Sequence, residues 1–191
     1  MTSDEALMAE FQGGSRAAFE ELFARYHQPL YGFFRRRLNS PERAEDLAQE
    51  TFLAVIRATS RYEPRALFRT YLYSIALKLA AAERRNQQRR SATVAEEFEP
   101  AVASAADSAI WVRRALEKLE AQEREILMLR EYEQLSYAEI ADLLRIPVNT
   151  VRSRLFRARM ELKNLLSSAK PQVNGSSEAN DIRENEACNE R

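Results

Sequence analysis

A chain of 191 residues can hold one large or two small domains, and its 45% hydrophobic content is that of an ordinary folded protein. Lys plus Arg equals Asp plus Glu at 29 each, which excludes a polycation that coats any nucleic acid indiscriminately; the single cysteine, Cys188, excludes an intramolecular disulfide or a cysteine-rich zinc site. With no apolar run of about 18 residues and no charged start followed by an apolar core, the sequence predicts neither a membrane span nor a signal peptide, and the expected location is the cytoplasm.

Only four glycines occur, and long stretches run in helical rather than alternating periodicity, so the expected fold is all-α: two small helical bundles joined by a flexible linker, the second containing a helix-turn-helix. The first bundle is expected over residues 1–90, the linker over 91–107, the second bundle over 108–167 and a disordered tail over 168–191.

The first bundle opens with Phe19, Leu22, Phe23 and Tyr26 and continues past Pro29 with Leu30, Tyr31, Phe33 and Phe34. His27, the only histidine, lies near Pro29 in an expected helix break and reads as structural rather than catalytic. Ser40 followed by Pro41 is an N-cap and first helical residue. The helix they start, to about Ser60, offers Ala44, Ala48, Phe52, Val55 and Ile56 to a core, while Asp46, Gln49, Glu50, Leu53 and Arg57 fall on another face. Leu53 among polar groups hints at a partner surface.

After the segment SRYEPRA a fourth helix is expected from about Leu67 to Arg90, with Phe68, Leu72, Ile75, Ala76 and Leu79 buried. Its other side is aromatic and basic: Arg61, Tyr62, Arg65, Arg69, Tyr71, Tyr73, Lys78, Arg84 and Arg85 combine phosphate-neutralising charge with rings on which unpaired bases can stack. A solvated charged helix whose tyrosines complete the core accounts equally well for the tyrosines. The linker, SATVAEEFEPAVASAAD, is small and acidic, and fully extended it spans roughly 55 Å, longer than one DNA turn of about 34 Å.

In the second bundle Ile110–Leu119 and Gln122–Tyr132 show helical apolar spacing, with Trp111 expected in the core. The stretch from Leu135 to Leu162 then spells two short helices. Ser136 and Glu139 form a capping box, Ile140, Leu143 and Leu144 share one face, and the segment Arg145, Ile146, Pro147, Val148 stops the helix. Asn149 is the expected N-cap of the second helix, whose buried stripe is Val151, Leu155, Ala158 and Leu162. Arg152, Arg154, Arg157, Arg159 and Lys163 oppose one acid, Glu161, the polarity of a helix that meets phosphates and guanine edges.

With both bundles in view, the chain resembles the RNA polymerase sigma factors, specifically the small two-domain extracytoplasmic-function type. The resemblance rests on AFEELFARYHQPLYGFFRRRL, RAEDLAQETFLAVIRA and FRTYLYSIALKLA in the first bundle and on QEREILMLREYEQLSYAEIADLLRIPVNTVRSRLFRARMEL in the second, and covers about Phe19 to Leu166. It implies a stress- or signal-responsive promoter-specificity subunit with core RNA polymerase (the clamp of the largest subunit, and the flap) and promoter DNA as partners, and an anti-sigma factor as its inhibitor. It assigns Asp46, Gln49, Glu50 and Leu53 to polymerase binding. Arg61, Tyr62, Arg65, Arg69, Tyr71, Lys78, Arg84 and Arg85 fall to minus-ten recognition and melting. Asn149, Thr150, Arg152, Ser153, Arg154, Phe156 and Arg157 fall to the minus-thirty-five element. The chain departs from the family pattern at Tyr71, where tryptophan is common, at Leu77 and Lys78, where an Arg-Asn pair is common, and at Gln134, Arg145 and Asn149, where glycine is frequent.

Two other functions compete. A helix-turn-helix regulator with a helical sensor domain would bind DNA without polymerase, but its first bundle should carry a ligand pocket or phospho-acceptor cluster rather than a basic, tyrosine-bearing helix. An enzyme finds no support in any Ser-His-Asp, metal-ligand or phosphate-loop spacing, and neither metal nor cofactor is expected. Cys188 reads as a bystander thiol rather than a redox sensor.

Overall fold

A computed structural model describes residues 2–63, 67–93 and 107–168. These residues form helices and no strand: α1 (Asp4–Gln12), α2 (Arg16–Arg35), α3 (Pro41–Ala58), a single 3-10 turn (Thr59–Arg61), α4 (Phe68–Thr93), α5 (Asp107–Lys118), α6 (Ala121–Glu131), α7 (Tyr137–Leu144) and α8 (Val148–Ser168). The expected linker and tail, Arg65 and Cys188 lie outside the described residues, apart from the linker residues that α4 and α5 take up and Ser168, which ends α8.

Local signals start most of these helices. Ser3, Ser15 and Ser40 each accept a hydrogen bond from the backbone N–H three residues on, and Pro41 takes the first position of α3. The N-terminus of α4 is satisfied from a distance, because the Phe68 N–H donates to Glu5 of α1 at 3.0 Å. Helix α1 itself was not anticipated. It is short and buries only Leu7 and Met8, too few apolar positions to establish a period.

Met8, Leu22, Leu30, Phe33, Phe34, Leu47, Phe68 and Leu72 fill the first bundle, and Ile126, Leu129, Leu135, Ile140, Val151 and Leu155 the second. Three expectations are corrected. Helix α2 runs through Pro29 without a break, because Pro29 is exposed and the carbonyl of Arg25, deprived of its donor, can turn to solvent. His27 therefore sits mid-helix, 2.9 Å from Glu45. Trp111 and Ile56, expected in the core, are 44% and 42% exposed, because α5 and α3 present those positions outward.

The bundles are not held apart. Their buried residues form one continuous apolar cluster, ringed by ion pairs between modules. Arg36 donates to Glu133 at 2.6 Å, and the Tyr73 hydroxyl donates to the other oxygen of the same carboxylate at 3.0 Å. Arg37 pairs with Glu125 at 2.6 Å. The Glu133 side chain is 2% exposed, so this carboxylate is desolvated and depends on its partners.

Candidate nucleic-acid interface

The helix-turn-helix is built by its caps. Ser136 accepts from the Glu139 N–H at 3.2 Å and the Glu139 carboxylate accepts from the Ser136 N–H at 2.8 Å, so both halves of the capping box are made. Helix α7 ends on Arg145 in the left-handed region, φ 53° and ψ 48°, and the Ile146 N–H closes the turn on the Ala141 carbonyl at 3.0 Å. Gln134 also has φ 53°. A side chain in this region costs about 1 kcal/mol relative to glycine, so two of the three glycine departures carry backbone strain. Asn149 carries none and is not the N-cap: α8 already starts at Val148, with the Thr150 and Val151 N–H groups on the Pro147 carbonyl.

Helix α8 turns Val151, Leu155 and Ala158 inward and the basic set outward. Leu155 is 1% exposed whereas its neighbour Phe156 is 66% exposed. Arg152 and Ser153 are exposed, and Arg154 and Thr150 are half-buried. Arg152 approaches only the Asn149 amide oxygen, at 3.5 Å, with no carboxylate partner among the described residues. Arg157 is exposed but its Nε lies 3.2 Å from the buried Glu123, and Arg159 pairs with Glu131 at 2.6 Å. Free guanidinium groups beside an exposed ring can bridge guanine O6 and N7 and touch a thymine methyl.

The first bundle's set is divided. Arg61, Lys78, Arg84 and Arg85 are exposed. Tyr62 and Tyr73, expected on the outer side, are 8% and 2% exposed. Tyr62 packs on Phe68 and on the half-buried Tyr71, whose ring centroid is 5.0 Å away. Burial pushes both phenol groups upward from the ordinary tyrosine value, and burial followed by the charge of Glu133 does the same to Tyr73. The tyrosines complete the core and the inter-module contact because they lie at the foot of α4, where α1, α2 and the second bundle converge. Arg69 makes a two-pronged contact with Glu139, with distances of 2.7 and 2.8 Å from Nη2. Burial raises the tendency of Glu139 to hold a proton, but the Ser136 N–H, Arg69 and the Ser136 hydroxyl outweigh it and hold the carboxyl below the usual range. Between the modules a crevice of about 1350 Å³ borders Tyr71, Lys78 and Arg84.

On α3, Asp46, Gln49 and Leu53 are exposed and Glu50 is half-buried, with Arg43 bridging Asp46 and Glu50 at 3.7 and 3.1 Å. The sequence reading missed the apolar neighbours of this face. Phe23 of α2 is 37% exposed and stacks on Phe52 at 4.8 Å, and Ile56 follows one turn later. Their apolar character and helical spacing had suggested core; only the packing of α2 on α3 reveals an edge.

Two helical bundles, the second ending in a helix-turn-helix with an outward basic helix, define a two-domain DNA-binding protein. Residues 22–90 match the model of sigma-70 region 2 and residues 109–162 that of sigma-70 region 4. RNA polymerase sigma factor CarQ of Myxococcus xanthus is 37% identical over 172 residues, covering 87% of this chain and 99% of the relative. The ECF RNA polymerase sigma-E factor of Escherichia coli K12 is 34% identical over 179 residues, covering 85% and 93%. Among solved structures, CnrH in complex with the cytosolic domain of CnrY superposes with a TM-score of 0.71 at 26% identity, covering 88% of this chain and 99% of that one. The chain belongs to the extracytoplasmic-function type of RNA polymerase sigma factors. Its partners are core RNA polymerase and promoter DNA, and its role is to direct the polymerase to specific promoters. No described helix is long and apolar enough to cross a membrane.

Proposed function

We propose that promoter reading is divided between the two bundles, residues 1–90 and 108–167, with residues 91–107 as tether. The observation that carries this is the outward set of α8, where Arg152 has no carboxylate partner among the described residues and Phe156 is 66% exposed beside the buried Leu155. In this reading Arg152, Ser153, Phe156 and Arg157 contact bases of the minus-thirty-five element, and Asn149, Thr150 and Arg154 contact its backbone.

In the first bundle, Arg61, Lys78, Arg84 and Arg85 hold phosphates near the minus-ten element, and Tyr71 at the crevice edge is the ring offered to an unpaired base. Arg65 belongs to the same set by sequence, and Tyr62 supports Tyr71 from below. Arg69 would exchange the Glu139 carboxylate for a phosphate, so the docked arrangement of the bundles is that of the factor before it meets a promoter. Asp46, Gln49, Glu50 and Leu53 dock on the polymerase clamp, with Phe23 and Ile56 adding apolar area, and the second bundle meets the flap. The protein acts without catalysis of its own, in the cytoplasm beside the polymerase. An anti-sigma factor is its inhibitor, a proposal supported by the likeness to CnrH, solved with the cytosolic domain of CnrY bound.

The test is run-off transcription with core polymerase, templated by the region upstream of its own gene and by a genomic library. Discrete new transcripts dependent on this chain are expected; none above core polymerase alone would contradict the reading.

A further inference from the structure

Among the outward cations of α8, Arg157 has a buried carboxylate partner. Glu123 lies in the first turn of α6, is 7% exposed as a residue, and sets one oxygen 3.2 Å from the Arg157 Nε. The Arg157 side chain is 63% exposed, and its terminal nitrogens meet no other partner among the described residues. Glu161, one turn further along α8, makes no ion pair with it, so the guanidinium is drawn back across the α6–α8 contact rather than along its own helix.

This arrangement has a geometric consequence. An arginine side chain free in water samples many rotamers, and fixing one is costly when a base is bound. A carboxylate 3.2 Å from Nε favours the rotamers that keep Nε against α6 and leave the far edge of the guanidinium, with both terminal nitrogens, unpaired among the described residues. That edge is a planar fork able to meet the paired acceptors of one guanine. An acid this close to a DNA-facing helix also repels phosphate, so a residue serving only general affinity would be better replaced by a neutral one. A contact that weakens overall attraction and orients one fork fits discrimination.

We infer that Glu123 is a positioning residue for promoter specificity: it holds Arg157 in the orientation that reads a single base pair, at the expense of sequence-independent affinity. The inference rests on the assignment of Arg157 to base contact.

The test uses holoenzyme reconstituted from core polymerase and the full chain. It selects from duplex fragments randomised over about ten base pairs upstream of a fixed segment that supports initiation, with scrambled duplex as the reference. Arg157→Ala should flatten the preference at one base pair. Glu123→Gln, isosteric and uncharged, should weaken the preference at that same pair about fivefold or more while raising retention of scrambled duplex about twofold. Glu123→Asp keeps the charge but shortens the arm, and should weaken the same preference with scrambled binding unchanged. Full preference in Glu123→Gln, with Arg157→Ala flattened, overturns the positioning role alone. If Arg157→Ala flattens nothing, the base-contact assignment falls and this inference with it. A parallel loss on selected and scrambled duplex, together with a lowered melting temperature, would make Glu123 merely structural.

Discussion

The two basic helices, α4 and α8, differ in what their arginines touch. On α4, Arg69 is closed on Glu139, and just past the C-terminus of α2, Arg36 and Arg37 are closed on Glu133 and Glu125, all carboxylates of the other bundle. On α8, Arg152 has no carboxylate partner among the described residues, and Arg157 and Arg159 pair with acids of their own bundle. Arg36, Arg37 and Arg69 are thus closed on the partner bundle, while Lys78, Arg84 and Arg85 of α4, like Arg152 of α8, stay exposed. Whether an exposed-looking arginine is free depends on where acids 60 to 100 residues away arrive, as the Arg36–Glu133 and Arg69–Glu139 separations show.

The sharpest way to break this contrast is to strip the occupied side. Arg36→Ala leaves the buried Glu133 without its close cation, a defect costing about 3 to 5 kcal/mol if the carboxylate stays buried. Separation of the bundles is the cheaper escape. We expect energy transfer between dyes on the exposed Ala24 and Asn164 positions, in a background with Cys188→Ser, to report a longer distance in the variant; an unchanged distance with unchanged urea stability would show that the ion pair holds nothing.

On the open side, Arg152→Ala should weaken binding of the selected upstream element by about 1 to 3 kcal/mol and of scrambled duplex far less, measured by competition against holoenzyme. Equal losses on both would make Arg152 a phosphate contact instead.

The joint between α7 and α8 gives a smaller effect. Arg145→Gly relieves the left-handed backbone at φ 53° and should raise stability by about 0.5 kcal/mol at most in urea unfolding, after the added freedom of glycine in the unfolded chain is deducted. A loss of stability would mean that the Arg145 side chain makes a contact worth more than the strain.

The least effect is expected from pH. The Glu139 carboxyl is held below its ordinary value in the folded chain, so its contribution is fully present above the unfolded value of about 4.3 and is lost as pH falls through the lower folded value. The stability difference between wild type and Glu139→Gln should therefore be constant near neutrality and shrink only in the acid range. A difference that changes around pH 6 to 7 would point to another group.

Much of the fold was legible because it is locally determined. The capping box at Ser136 and Glu139, the Ser40–Pro41 start and the stripe Val151, Leu155, Ala158 each depend on residues within a few positions of one another. The outward direction of Arg152 and Phe156 follows from the same stripe. What escaped the sequence is tertiary. Tyr73 is buried because Glu133 arrives 60 residues later to accept its hydroxyl. Phe23, Ile56 and Trp111 look like core residues in any helical projection, and only the packing of neighbouring helices leaves them at an edge. Glu123 carries no local signal either, since an acid in a first helical turn is ordinary and its pairing with Arg157 depends on how α6 crosses α8.

The most direct measurement is the Ala24–Asn164 distance in the free factor and again in the holoenzyme bound to promoter DNA. We expect the short distance of the docked bundles in the free protein and a clearly longer one on the promoter, where Arg69 and Glu139 have parted. The same short distance in both states would contradict the idea that two bundles read two separated elements.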